Sequence, residues 1–242
     1  SGADEMERIR AMVDLPDLGA VYTDSGSAWS ARYLNFRRDH FPYADLPLTY
    51  DEETGQPAIF GKAPPVEHWR AMAEILHPAG KVVFPNLGHG FKDMWSYFAV
   101  DICGCEQGST HTDFLNYSRT LAWHKPVLFL GYLKLHGKPT FLMEREGFER
   151  HVKRCAMMGI YPSIAIRVEY PEFYERDGDI YRLYVPIIKT LSAAGWEPVT
   201  HARINSPDVR VERFGPAEGV VYFTVYNDSA EAVDCTLEMD LP

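Results

Sequence analysis

The chain has 242 residues, of which 46% are hydrophobic and 24% charged, and its formal net charge at pH 7 is −10. This length suits one domain or one and a half, and the composition is that of a chain with a sizeable core, which excludes a disordered or collagen-like protein. The negative charge disfavours nucleic acid and anionic membranes as partners, and no apolar run approaches the roughly 20 residues that span a bilayer.

The first 200 residues alternate between short apolar runs and helical patterns, after an opening helix at Asp4–Met12. Six runs predict strands: Leu18–Asp24, Lys81–Asn86, Tyr97–Cys103, Pro126–Leu133, Ile160–Val168 and, weakly, Pro198–Ala202. Four patterns between them predict helices: Val66–Leu76, Phe114–Trp123, Arg145–Met158 and Tyr181–Ala194. Such alternation is typical of βα units with a parallel sheet. We therefore predict an α/β fold, and specifically part of an eight-stranded (β/α)8 TIM barrel.

The pattern changes after Pro207. Three alternating segments, Val209–Phe214, Val220–Tyr226 and Val233–Met239, predict antiparallel strands. We assign residues 1–206 to the C-terminal part of a barrel and residues 207–242 to the first strands of a β-sandwich. Because a complete barrel needs about 250 residues and only about five units are visible, we expect a fragment whose remaining barrel segment belongs to the same protein. The alternative is a complete open α/β sheet with a small β cap.

The four cysteines are Cys103, Cys105, Cys155 and Cys235, and only the first two lie close together in sequence. A four-thiolate zinc site is therefore excluded, and we predict buried, reduced thiols and no cofactor. No signal peptide is visible at Ser1. Both observations favour a reducing compartment such as the cytoplasm.

Polar and charged residues follow most of the predicted strands, at the edge where a parallel barrel carries its reactive groups. Asp24 ends the first strand, and Asp101 and Glu106 lie within and at the end of the third. The residues that we predict to bind substrate end other strands or lie in the long segment after Asp24: Trp29, Arg32, Tyr33, Asn86, His89, Lys134 and Arg167. Aromatic rings and hydroxyl-binding groups in such a long loop suit a sugar, although a loop pinned by its own aromatics is an equal alternative.

Two carboxylates that face one cavity are what glycosidic bond cleavage requires. Asp24 is the predicted nucleophile, because neighbouring hydroxyls would hold it ionised. The predicted acid is Glu106 or Asp101: burial would raise the pKa of Asp101, whereas Glu106 lies nearer the loop where a substrate oxygen would arrive. The alternatives are a turn acid at Asp24, a buried structural hydrogen bond at Asp101 and a solvated loop acid at Glu106.

Several segments resemble a known family of enzymes. Val21–Ser25, Val100–Glu106 and Trp196–Ala202 look like parts of a TIM-barrel glycoside hydrolase, and Val211–Gly215 with Tyr222–Asn227 looks like the start of the sandwich behind such a barrel. The resemblance is to retaining α-glycosidases, namely the α-galactosidase-like superfamily and the endo-α-N-acetylgalactosaminidase-like enzymes. It implies a nucleophile that ends strand four and an acid that ends strand six.

Counted from Asp24 as the end of strand four, Asp101 and Glu106 fall on strand six, and strands one to three are missing from this chain. The resemblance therefore implies a retaining glycosidase with a carbohydrate substrate, and this segment alone could be inactive. Two other readings remain open. One is a non-catalytic carbohydrate-binding or pseudoenzyme barrel, and the other is a metal-dependent hydrolase that uses His89, His111 and Asp113. No metal is expected in the favoured reading.

Overall fold

The computed structural model describes residues 2–25, 33–88, 93–106, 112–165 and 172–240. The chain divides into two compact units, Ser1–Cys105 and Glu106–Pro242. The domain boundary that the sequence predicts, between residues 206 and 207, falls inside the second unit.

The first unit is built around three parallel strands. Its elements are α1 (Gly2–Val13), β1 (Ala20–Thr23), β2 (Leu34–Asn35), β3 (Thr49–Tyr50), β4 (Pro57–Phe60), α2 (Ala63–Leu76), β5 (Val82–Leu87), α3 (Met94–Phe98) and β6 (Cys103–Glu106), which ends at the unit boundary. β5 lies between β1 and β6, with Thr23 opposite Pro85 and Asn86 opposite Gly104. β4 pairs with β2 and β3 in a small antiparallel sheet.

Helix α2 covers the parallel strands with one apolar face. Val66, Trp69, Met72 and Leu76 recur every three or four residues, as a helix that buries one face requires, and each is at most 2% exposed. The helix begins with two prolines in its first turn, where their missing amide hydrogens leave no helical bond unmade. Trp69 of this helix donates a hydrogen bond to Thr23, the last residue of β1, so the N-terminal half of α2 lies beside the end of that strand.

The second unit combines a parallel strand pair with short antiparallel sheets. Its elements are α4 (Thr112–Ala122), β7 (Val127–Tyr132), β8 (Lys134–Leu135), β9 (Lys138–Pro139), α5 (Arg145–Met157), β10 (Tyr161–Ala165), α6 (Glu172–Ala194), β11 (Trp196–Glu197), β12 (Ala202–Ile204), β13 (Val209–Ala217), β14 (Val220–Asn227) and β15 (Leu237–Met239). β7 and β10 pair in parallel. The other pairs are antiparallel: β8 with β9, β12 with β15, and β13 with both β11 and β14.

The predicted α/β class is confirmed, with β1, β5, β6, β7 and β10 as parallel strands and separate antiparallel sheets. Within the described ranges these strands do not close a barrel, so a partial TIM barrel is not shown. The last predicted strand, Pro198–Ala202, is wrong: β11 ends before it, β12 begins only at Ala202, and both pair antiparallel.

Two further strand predictions need correction. The run Tyr97–Cys103 is not one strand, because α3 occupies Met94–Phe98 and β6 begins only at Cys103. Short apolar runs do not by themselves distinguish a buried helical turn from a strand. Of the predicted strand Val233–Met239, only Leu237–Met239 is a strand, β15. It pairs with β12 and not with β14, so the three predicted C-terminal strands do not form one sheet. None of the described helices is long and apolar enough to cross a membrane.

Candidate functional site

Asp24 follows β1 directly, at the carboxyl end of a parallel strand. Its Oδ1 accepts hydrogen bonds from the Asn86 side chain at 3.0 Å, the Ser25 backbone amide at 2.8 Å and the Tyr22 hydroxyl at 3.4 Å. Asn86 reaches this position because β5 is the parallel neighbour of β1 and Pro85 lies opposite Thr23. Asn86 and Asp24, the next residue of each chain segment, therefore lie side by side at the carboxyl ends of the two strands. Asp24, the predicted nucleophile, and Asn86, predicted separately as a substrate-binding residue, are thus in direct contact.

These donors keep the Asp24 carboxyl charged. The Asn86 hydrogen bond is the largest cause of a lowered Asp24 pKa, and burial, the second-largest effect, opposes it. The Ser25 amide and hydroxyl and the Tyr22 hydroxyl lower the Asp24 pKa further. The Asp24 side chain is exposed, so water reaches the carboxylate. Asp24 is therefore an ionised, accessible carboxylate at neutral pH.

An open cleft of about 300 Å³ lies beside Asp24, and we call it the Asp24 cleft. It is lined by Glu5, Thr23, Asp24, Ser25, Pro64, Pro65, His68 and Trp69. Trp69 is only 1% exposed, and its indole Nε1 donates to Thr23 Oγ1 at 3.1 Å. The hydrogen bond fixes the end of β1 against α2, so the wall of the cleft beside Asp24 is rigid.

A second carboxylate and an imidazole face the same cleft. His68 Nε2 on α2 lies 3.5 Å from Glu5 Oε1 on α1, with the histidine half-buried and the glutamate exposed. Together with Asp24 they give the cleft two carboxylates and one imidazole. None of the described lining residues is lysine or arginine, so the cleft favours a neutral or cationic ligand over an anionic one.

The structure separates Asp101 from Asp24. Asp101 precedes β6, and its Oδ2 accepts a hydrogen bond from the Val83 backbone amide at 2.8 Å and lies 2.9 Å from His77 Nε2. Val83 is near the start of β5, whereas Asn86, the partner of Asp24, is about 10 Å further along the strand. Asp101 therefore belongs to the amino-terminal edge of the sheet and does not meet Asp24, because β6 starts only at Cys103, two residues after Asp101.

Glu106 is the last residue of β6 and half-buried, as predicted for a residue at a strand end. Gly104 and Cys105, which precede it, pair with Asn86 and Leu87 of β5. Its role as the acid stays a prediction.

The other predicted binding residues have separate positions. Asn86 contacts Asp24, and Tyr33 lines a different cleft of the first unit. Lys134 is exposed on the β8–β9 hairpin of the second unit. Four of the predicted residues lie outside the described ranges: Trp29, Arg32, His89 and Arg167.

Sequence reasoning missed Glu5, His68 and Trp69 as neighbours of Asp24. One signal was available: in a βα unit the helix that follows a strand starts near that strand's carboxyl end. His68 lies early in α2, so its position beside the end of β1 follows from the order of elements. Glu5 had no comparable signal, because α1 precedes β1.

The described residues contain no group of three or more His, Cys, Asp or Glu side chains placed to hold a metal ion. His89 and His111, on which the metal-hydrolase alternative depends, lie outside the described ranges. None of the four cysteines forms a disulfide. Cys103, Cys105 and Cys155 are buried as predicted, whereas Cys235 is exposed, so the prediction is wrong at that position.

Comparison with known proteins gives no relative: no protein-family model, no curated protein and no solved structure matches this chain.

Proposed function

We propose that this protein is a glycoside hydrolase in which Asp24 is the catalytic carboxylate. The observation that carries the proposal is the Asp24 carboxylate itself, ionised through the 3.0 Å hydrogen bond from Asn86 at the carboxyl end of a parallel strand and open to a cleft of about 300 Å³. The cleft has no described lysine or arginine in its wall, which suits an uncharged sugar. A charged carboxylate of this kind stabilises the oxocarbenium-like transition state and can attack the anomeric carbon.

In the proposed retaining reaction, an Asp24 oxygen forms a bond to the anomeric carbon while the glycosidic bond breaks. The leaving oxygen takes a proton from an acid, and water then hydrolyses the glycosyl-enzyme after giving a proton back to the same group. The three donors converge on Oδ1, so we assign the attack to Oδ2. Glu106 remains the proposed acid, and His68 is the competing assignment because it lines the Asp24 cleft.

The first test is hydrolysis of a panel of 4-nitrophenyl α- and β-glycosides by the purified protein. Asp24→Asn keeps the size of the side chain and removes its charge, and loss of a nucleophile lowers turnover by on the order of 10⁴ or more. Wild-type activity in Asp24→Asn would refute the assignment, and the absence of hydrolysis of every glycoside by the wild type would refute the hydrolase. Retained sugar binding without hydrolysis would favour the binding-domain alternative.

The acid is identified by the leaving group. A variant without its acid loses kcat/KM for glycosides with poor leaving groups but keeps kcat/KM for 2,4-dinitrophenyl glycosides, whose leaving oxygen needs no proton in the first step. Its kcat falls for both, because the same group is the base that activates water in the second step. Glu106→Gln is expected to show this split, and His68→Gln is the matched variant. If only His68→Gln shows it, His68 and not Glu106 is the acid.

Asn86→Ala tests what keeps Asp24 ionised. Because the hydrogen bond from Asn86 lowers the Asp24 pKa, its removal raises that pKa, and the acidic limb of the pH–kcat/KM profile moves to higher pH. Asn86→Asp is expected to move it further, since a neighbouring negative charge disfavours ionisation. An acidic limb that stays in place in both variants would show that another group controls it.

A further inference from the structure

The first unit has a second cleft, of about 470 Å³, between the 3₁₀ turn Arg38–Tyr43 and strands β2 and β4. Tyr33 and Tyr43 stand at it with 69% and 83% of their surfaces exposed. Leu34, Ile59 and Phe60 supply apolar wall. We call this the tyrosine cleft. Two aromatic rings left this exposed contribute little to the core of the unit and present their faces to a ligand.

The polar groups of the tyrosine cleft are uncharged or already engaged. Asn35 Nδ2 lies 2.9 Å from His40 Nδ1, so the two side chains form a hydrogen-bonded pair in the wall. Glu67 is the one acidic residue of the lining, and its Oε1 accepts the backbone amides of Asp45 and Leu46 at 2.9 and 2.8 Å. None of the described residues that line the cleft is lysine or arginine. Apolar faces with a few neutral polar groups match the surface of an uncharged sugar, which has C–H faces and a hydroxyl rim.

The tyrosine cleft and the Asp24 cleft share a wall. Pro64, at the start of α2, lines both. Glu67 and His68 are consecutive residues of α2, and Glu67 lines the tyrosine cleft while His68 lines the Asp24 cleft. The two clefts are therefore neighbours at the first turns of one helix.

We propose that the tyrosine cleft binds an additional, uncharged sugar residue of an oligosaccharide that also occupies the Asp24 cleft, where the proposed reaction would cleave it. This inference rests on the proposed function and adds its substrate class: a neutral oligosaccharide of at least two residues. Tyr33 and Tyr43 act by stacking, so the ring matters and the hydroxyl does not.

The test is calorimetric titration of the full chain carrying Asp24→Asn, which prevents turnover, with neutral malto-, cello-, xylo- and α-galacto-oligosaccharides of one to six residues. In at least one series, the affinity is expected to increase with chain length from the monosaccharide to the longer oligosaccharides. Tyr33→Ala and Tyr43→Ala are each expected to weaken binding of the longer members by roughly 2- to 10-fold and to leave the monosaccharide unchanged. Tyr33→Phe and Tyr43→Phe are expected to bind like the parent.

Tyr50→Ala is the matched control, since Tyr50 is 64% exposed on β3 of the same small sheet and lines neither cleft. Oligosaccharide binding that is unaffected by both alanine variants, or no gain from monosaccharide to hexasaccharide in any series, overturns the inference. If either result accompanies turnover of aryl glycosides by the wild type, the hydrolase proposal stands without this subsite. Tyrosine-dependent binding without turnover by the wild type supports the subsite and refutes the hydrolase.

Discussion

His151 offers a direct measurement of how burial controls the stability of the second unit. It lies on α5 with no exposed surface, its ring centroid 5.2 Å from that of Phe129 and its Nε2 3.6 Å from the Cys155 sulfur. Burial, with a smaller contribution from the charge of Arg154, lowers the His151 pKa from 6.5 to about 4. The imidazole is consequently neutral at pH 7 in the folded protein.

The consequence for stability follows from the two pKa values. As the pH falls from 7, the unfolded chain binds a proton at this histidine near pH 6.5, whereas the folded chain does so only near pH 4. The stabilisation is therefore complete above pH 6.5 and is lost between pH 6.5 and 4. Each pKa unit corresponds to about 1.4 kcal/mol, so this one side chain lowers the free energy of unfolding by about 3 kcal/mol as the pH falls from 7 to 4.

Urea unfolding followed by circular dichroism at pH 7, 6, 5 and 4 measures the effect. His151→Phe replaces the ring by an apolar one that does not titrate, and the variant is expected to lose about 3 kcal/mol less than the wild type between pH 7 and 4. His124→Gln, at an exposed histidine of the same unit, is the control and is expected to follow the wild type. Parallel pH dependence in the wild type and His151→Phe would refute the reasoning, as would an NMR titration that places the pKa of His151 near 6.5.

Two further predictions concern stability at pH 7, measured by urea unfolding. Lys62→Met removes the 2.7 Å ion-pair partner of the buried Asp93 and is expected to cost about 3–5 kcal/mol, most of which Asp93→Leu in the same chain restores. Gly159→Ala is expected to cost about 3 kcal/mol, because φ is +67° and the new Cβ would lie 2.7 Å from the Phe214 ring. Gly55→Ala, with the same φ and nothing within 4 Å, is expected to cost only about 1 kcal/mol.

Each of these comparisons has a result that contradicts it. If the double variant at Lys62 and Asp93 is no more stable than Lys62→Met, the cost does not come from an uncompensated buried charge. If the alanine variants at Gly159 and Gly55 are equally destabilised, the contact with Phe214 adds nothing to the backbone penalty.

Local patterns were sufficient where an element is long or strongly periodic. The helix predicted at Val66–Leu76 is α2, and the strand predicted at Lys81–Asn86 is β5, shifted by one residue. Local patterns were insufficient between Tyr33 and Lys62. There β2 and β3 have only two residues each, which is too short for a periodic signal, and both pair with β4. The tyrosine cleft is built from this segment, and for that reason sequence analysis predicted Tyr33 as a binding residue without its surroundings.

The sequence by itself determined the α/β class and placed Asp24 and Asn86 at strand ends, because apolar periodicity and the order of elements are local properties of the chain. Tertiary structure decided which groups meet. It set Asp101 against Val83 and His77, at the opposite edge of the sheet from Asp24, and it brought Glu5 and His68 to the Asp24 cleft. Strand register and helix packing fix such encounters between residues far apart in the chain, and no local pattern records them.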